Sequence, residues 1–292
     1  MALSVGSSTR KKGHLAVTNR YELARHYGGN GLIARLDDAL AKAGLAGKRL
    51  SPIDLAPLDQ FHACGLAATI ELAEMAAVRS GERVIDIGSG LGGPSRYLAT
   101  KYDCRVVGID LRPTFVEVST FLAERSGLAD KVNYRCADAL ALPFEDRQFE
   151  LAWTQHVAMN IANRTRLYRE VHRVLRPGGR FAIYDIVAGE TEPIVFPVPW
   201  SRGPATSFLL TPASMRVALE QQGFRIAAWS DRSDAAVAWF DQQRKTRPAT
   251  SPQPTLGLHL AMGADFPAMA ANLERNLRER RIGLTQAVVE RP

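Results

Sequence analysis

The stretch over residues 83–98 constrains the fold of this sequence more than any other part. It opens with an apolar segment at residues 84–87, which is typical of a buried parallel strand. A glycine-rich turn at residues 88–93 follows directly, and helical spacing resumes after it. Glycines allow a ligand to approach the backbone, and the first N–H groups of a helix point towards it. The stretch therefore predicts a strand, a ligand-binding turn and a helix in succession.

The spacing of these glycines fits two kinds of site. Gly88, Gly90 and Gly93 satisfy the G-x-G-x-x-G pattern of dinucleotide sites, and Asp110 follows at the distance expected of a ribose-binding carboxylate. Asp86, two residues before the first glycine, opposes that interpretation, because its carboxylate would face a pyrophosphate of the same charge. A carboxylate there suits a ligand with an amino group and a sulfonium.

The same residues resemble the first motif of the class I S-adenosylmethionine (SAM)-dependent methyltransferases, which has the form acidic-x-Gly-x-Gly-x-Gly. Asp86, Gly88, Gly90 and Gly92 match it position by position. The resemblance extends over residues 79–230 and is to the small-molecule type, similar to the quinone and sarcosine methyltransferase-like group. Both ends of the chain are assigned by analogy.

Strands and helices alternate from residue 83 onwards, which predicts a parallel, doubly wound α/β sheet. The resemblance implies a Rossmann-like seven-stranded sheet with an N-terminal helical cap and a helical insertion before the last strand. We expect five parts, namely a disordered leader (1–14), the cap (15–78), the SAM-binding core (79–292) and, within the core, an active-site loop (188–212) and the insertion (231–282).

The resemblance also implies a set of cofactor contacts. Asp110 is expected to accept both ribose hydroxyls, and Asp138 to accept the exocyclic amine of adenine. Each could instead be a plain turn residue. The other expected cofactor contacts are Asp86, Gly88, Ser89, Gly90, Gly92, Leu111, Ala139 and Gln155.

His156 follows the fourth predicted strand and is the candidate general base, because strand carboxyl ends face the ligand and histidine titrates near neutrality. The alternative is that it only holds the cofactor or a loop. The candidate substrate contacts are His62, Asn160, Tyr184 and Trp200. For His62 a capping or core role is an equal alternative.

Composition narrows the remaining classes. The chain has 292 residues, a net charge of +7 and no apolar run that would span a bilayer. The missing apolar run predicts no membrane insertion, and the scattered arginines predict no nucleic-acid partner. The three cysteines are widely spaced, which indicates reduced thiols and a cytoplasmic location. No metal-ligand spacing is present, so we expect no metal. The expected activity is methyl transfer to an O, N or C atom of a small molecule. An NAD-binding oxidoreductase and a non-catalytic SAM-binding protein are the alternatives. The oligomeric state stays open, a homodimer included.

Overall fold

The structure is a computed structural model that describes residues 31–246 and 254–292. The predicted leader (1–14), residues 15–30 of the predicted cap and residues 247–253 of the predicted insertion lie outside the described residues. Of the helices in the described ranges, none is both long and apolar enough to cross a membrane.

A seven-stranded sheet forms the centre of the fold, with the order β3-β2-β1-β4-β5-β7-β6. Its strands are β1 (Arg83–Ile87), β2 (Arg105–Asp110), β3 (Val132–Cys136), β4 (Phe149–Gln155), β5 (Leu175–Ala188), β6 (Arg225–Asp231) and β7 (Ile282–Glu290). The first five strands pair in parallel, whereas β7 lies antiparallel between β5 and β6. The predicted Rossmann-like, seven-stranded fold is confirmed.

The α-helices of the described residues are α1 (Leu32–Lys42), α2 (Pro52–Asp59), α3 (Gly65–Met75), α4 (Gly93–Tyr102), α5 (Pro113–Arg125), α6 (Arg164–Val174), α7 (Pro212–Glu220), α8 (Ser233–Thr246), α9 (His259–Met262) and α10 (Phe266–Arg278). They cover both faces of the sheet, because alternate residues of β1 enter separate cores. Val84 belongs to one buried cluster, and Ile85 and Ile87 belong to the other.

In the sequence, the Ser51-Pro52 dipeptide indicates a break between two helices, but the structure has helix α2 there. Ser51 caps it, since its Oγ accepts the N–H of Asp54 at 3.3 Å and the Asp54 carboxylate accepts the N–H of Ser51 at 2.9 Å. Pro52 stands in the first turn, where its missing N–H costs nothing. The dipeptide that indicated a break is in fact a helix start.

The C-terminal region differs from the sequence prediction at one point. The sequence predicts a single long helix over about residues 256–281, but the structure has two helices there, α9 and α10. Gly263 separates them with a φ of 83°, a left-handed conformation that cannot continue a helix. Both helices contribute side chains to the cavity described next.

Candidate active site

A cavity of about 820 Å³ opens at the carboxyl ends of the parallel strands. It lies where the strand order reverses around β1, the place at which open α/β sheets bind their ligands. Its volume falls in the range of about 300–1,000 Å³ that is usual for small-molecule sites. The cavity is therefore the candidate active site.

The wall of the cavity has two sides of different character. The glycine-loop side consists of Gly88, Gly90 and the lining residues of 109–112 and 137–140. The aromatic side consists of His62 and the lining residues of 155–163, 186–208 and 239–273. The first side carries carboxylates, and the second carries mainly apolar and aromatic side chains.

The glycine loop is held against β2 by its own backbone. The N–H groups of Gly88 and Ser89 both donate to the carbonyl oxygen of Ile109, each at 2.8 Å. Gly88 has a φ of 73°, and a Cβ there would lie 2.4 Å from Cγ2 of Val157. Only glycine therefore fits at this position, where the loop meets the segment that follows β4.

Asp110 links the glycine loop to the start of α5. Its Oδ2 accepts the N–H of Gly90 at 3.1 Å, and its Oδ1 accepts the N–H of Arg112 at 3.0 Å. Farther along the same side, Oδ1 of Asp138 accepts the N–H of Leu140 at 2.9 Å. Both carboxylates line the cavity, together with the predicted cofactor residues Leu111 and Ala139.

Four predicted site residues do not line the cavity: Asp86, Ser89, Gly92 and Tyr184. The carboxylate of Asp86 lies below the loop and accepts the hydroxyl of Ser95 at 2.5 Å. Burial raises the pKa of Asp86 to about 7. The expected direct opposition between this carboxylate and a pyrophosphate is therefore not what the structure shows, because the side chain points into the helix start.

Gly92 and Tyr184 are absent from the wall for packing reasons. A Cβ on Gly92 would lie 2.0 Å from the hydroxyl of Tyr134, so this glycine makes room for a neighbouring side chain. Tyr184 is buried behind two histidine rings, with centroids 4.9 Å from His156 and 5.8 Å from His62. It supports the wall from behind.

His156 lines the cavity directly after β4. Its backbone has a φ of 54°, and its N–H donates to the carbonyl oxygen of Tyr184 at 2.7 Å. Burial lowers the pKa of its imidazole well below the usual value, and nearby His62 adds to the effect. The ring is therefore neutral near pH 7, and its Nε2 has no hydrogen-bond partner among the described residues.

A buried hydrogen-bond network holds His62 and Gln155 at the junction of the two sides. The hydroxyl of Thr69 lies 2.7 Å from Oε1 of Gln60 and 3.1 Å from Oε1 of Gln155. Nε2 of His62 lies 3.0 Å from Oε1 of Gln60, and the indole of Trp153 donates to Oε1 of Gln155 at 2.9 Å. Burial lowers the pKa of His62 to about 4.

The segment from residue 196 to 208 covers the aromatic side. Asn160 holds it, because its Nδ2 donates to the carbonyl oxygens of Trp200 at 2.8 Å and Thr206 at 3.1 Å. Trp200 is almost fully buried, and its indole donates to the hydroxyl of Ser207 at 2.9 Å. Asn160 and Trp200, two of the four predicted substrate residues, line the cavity.

Sequence analysis missed much of this wall. The lining residues that were not predicted come from the segment before His62, the segment after β4, the covering segment and the insertion. They include Phe61, Val157, Met159, Phe208, Trp239, Phe240, Met262, Phe266 and Leu273. The adjacent aromatic pair at residues 239–240 was the available signal. Because the insertion lies between the last two strands, the sequence predicts that it packs near the substrate mouth, but it does not identify the side chains of α8 and α10 that line the cavity.

The cysteines of the described residues are free thiols, and burial raises the pKa of Cys64 and of Cys104. No group of three histidine, cysteine or acidic side chains in the described ranges is arranged to hold a metal.

Residues 85–183 match the family model described as a methyltransferase domain. This chain contains a methyltransferase domain. The resemblance to the class I methyltransferases is confirmed, and it favours that interpretation of the glycine loop over an NAD-binding oxidoreductase.

Curated relatives match part of this chain. "Methyltransferase GfsG" of Streptomyces halstedii is 36% identical over 138 residues, which are 47% of this chain and 50% of that protein. "Tocopherol O-methyltransferase, chloroplastic" of Arabidopsis thaliana is 39% identical over 102 residues, 35% of this chain and 29% of that protein. The chain thus spans half or less of the length of these relatives.

The fold of this chain also occurs in solved structures. The structure titled as the [4+2]-cyclase SpnF covers 95% of this chain and 96% of its own, with a TM-score of 0.63 and 23% sequence identity. At that identity the likeness concerns the fold alone.

Proposed function

We propose that this protein is a SAM-dependent methyltransferase that transfers a methyl group to a small-molecule acceptor and releases S-adenosylhomocysteine. One observation supports this most strongly. In a chain with a methyltransferase domain, a single cavity joins a carboxylate-bearing glycine loop to a separate aromatic side that carries a neutral histidine.

The residues that line the cavity fit SAM. The carboxylates of Asp110 and Asp138 suit the ribose hydroxyls and the adenine amine, which are hydrogen-bond donors. Nε2 of Gln155 is buried at the cavity without a hydrogen-bond partner in the described chain, and it suits the carboxylate of the methionine part. Gly90 leaves room for close approach, since the nearest atom to a Cβ on it is 3.9 Å away.

When bound, SAM supplies a methyl group that is already activated by the sulfonium, so the protein mainly aligns the acceptor and excludes water. Asn160 holds the covering segment closed, and the network around Thr69 fixes Gln155 and His62 between the two sides. His156 lines the aromatic side in its neutral form, which is the form that could accept a proton from an acceptor that must lose one.

The wider setting is part of the same proposal. An enclosed aromatic wall suits a small molecule better than nucleic acid, which needs an exposed basic surface. Free thiols suit a reducing compartment, so we place the protein in the cytoplasm.

A titration that compares S-adenosylhomocysteine with NAD tests the cofactor. We expect saturable binding of S-adenosylhomocysteine by calorimetry and no binding of NAD at the same concentrations. Preference for NAD would overturn the proposal. Since a fold hosts many functions and one solved relative is titled a cyclase, bound cofactor without methyl transfer would indicate a non-transferring role.

A further inference from the structure

We propose that the acceptor is an uncharged, largely apolar molecule that presents a hydroxyl group to His156. This inference deepens the proposed methyl transfer and rests on it. It is carried by the distribution of charge and aromatic surface around the cavity.

All charge in the described wall lies on the glycine-loop side. The charged lining residues are Asp110, Arg112 and Asp138, and the aromatic side as described has none. Moving a phosphate, carboxylate or ammonium group out of water without a countercharge costs several kcal/mol. A charged acceptor would therefore bind poorly on this side.

Two buried ions beside the aromatic side, Arg164 and Asp185, form an ion pair with each other. Nη1 of Arg164 lies 3.8 Å from the Asp185 carboxylate, and its Nη2 donates to the carbonyl oxygen of Phe208 at 2.9 Å. Both residues are buried and neither lines the cavity. Arg164 therefore holds the covering segment and does not face the acceptor.

Apolar surface comes from several separate elements, which fits a bulky hydrocarbon body. Trp200 and Phe208 belong to the covering segment, Phe240 to α8, and Phe266 to α10. Aromatic side chains of this size bury large areas against an apolar partner. Together they enclose the part of the acceptor that does not react.

The polar atoms on this side are those of neutral groups, at His62, Gln155, His156, Asn160 and Asn163. A neutral imidazole offers one accepting nitrogen, which suits a hydroxyl donor. Methylation of an alkene carbon would leave a cationic centre, and the described wall on this side has no carboxylate to stabilise it. These groups therefore favour oxygen as the methylated atom.

The transfer replaces a carbon–sulfur bond with a carbon–oxygen bond. An oxygen lone pair forms the bond to the methyl carbon, and the carbon–sulfur bond breaks with its electron pair going to sulfur. The hydroxyl proton passes to the imidazole of His156 and from there to water. The products are a methyl ether and S-adenosylhomocysteine.

Matched probes test the acceptor class on the intact chain. With S-adenosylhomocysteine bound, para-nonylphenol, para-nonylbenzoate and para-nonylbenzylammonium are titrated while the fluorescence of Trp200 and Trp239, which both line the cavity, is followed. We expect the phenol to bind at least about tenfold more tightly than either ion, which corresponds to about 1.4 kcal/mol or more. Equal or tighter binding of an ion, or no binding of the phenol, would overturn the proposal.

With SAM in place, the methyl ether of the phenol is expected by mass spectrometry, and methylation at a ring carbon would contradict the assignment to oxygen. The two proposals fail separately. Absence of S-adenosylhomocysteine binding would sink the methyltransferase proposal, whereas bound cofactor with preference for an ion would sink only the acceptor class.

A charge placed on the aromatic side gives an independent test. Phe240→Lys should weaken phenol binding at least about tenfold and strengthen benzoate binding, because it adds a countercharge at the wall. Val217→Lys, on the exposed face of α7 and away from the cavity, is the matched control. Phe240→Ala, which is milder for folding, should weaken phenol binding without favouring benzoate. Affinities equal to those of the control would contradict the placement of the acceptor.

Discussion

His156 and His62 face each other where the two sides of the cavity meet, with ring centroids 5.9 Å apart. Burial is the main reason that the pKa of each imidazole is lowered, to about 4 for His62 and well below the usual range for His156. A neutral imidazole is the form that accepts a proton.

The methyl-transfer rate should not decline between pH 8 and pH 6.5, because the pKa of His156 lies below that window and the ring stays unprotonated there. His156→Ala should slow the transfer about a hundredfold. His172→Ala, a half-buried histidine beside Phe224 and outside the cavity, is the control. An apparent pKa at or above 6.5, or cofactor loss with an unchanged rate, would contradict the role of His156 as a base.

Asp110→Ala should weaken S-adenosylhomocysteine binding by about 1–3 kcal/mol, the scale of hydrogen bonds lost to a charged group. Calorimetry measures it, and Asp130→Ala, on an exposed turn before β3, is the matched control. If the Asp110 variant binds as tightly as the control, the ribose assignment is wrong.

Among the helices, α2 is joined to α4 by a buried ion pair. Nη2 of Arg96 lies 2.6 Å from the carboxylate of Asp59, and both side chains are almost fully excluded from solvent. Burial raises the pKa of Asp59 to about 6 despite the adjacent guanidinium. The contact fixes the segment before His62 against the helix that follows the glycine loop.

Arg96→Met should lower the free energy of unfolding by about 3–5 kcal/mol, because it leaves a buried carboxylate without its partner. Denaturant unfolding measures the change. The double variant with Asp59→Leu should recover part of the loss, since both charges are then absent. Additive effects of the two substitutions would contradict a coupled pair.

The covering segment depends on Asn160 in the same way. Asn160→Asp replaces a donor to the Trp200 and Thr206 carbonyl oxygens with a repelling carboxylate. Hydrogen exchange over residues 196–208 should quicken and the KM for the acceptor should rise, while S-adenosylhomocysteine affinity stays unchanged. Asn133→Asp, exposed on β3, is the control. Unchanged exchange relative to that control would show that Asn160 does not hold the segment.

In the whole molecule, the sheet was predictable because most strands carry an apolar run and several of the turns between elements carry glycines. The glycine loop and the two carboxylates that line the cavity, Asp110 and Asp138, were predictable because they lie at the ends of those strands or just after them. His62, His156, Asn160 and Trp200 were predicted, but most of the aromatic side was not, because its other members lie more than a hundred residues apart in the chain, from Met159 to Leu273. The burial that neutralises His156 has no local signal in the sequence either.

The most direct test of the central claim is transfer of label from methyl-labelled SAM, followed by mass spectrometry of all products in a cell extract with and without the protein. The account predicts a labelled small molecule whose formation depends on the protein and falls in the His156→Ala variant. Label that appears only in protein or nucleic acid, or no label although S-adenosylhomocysteine binds, would contradict it.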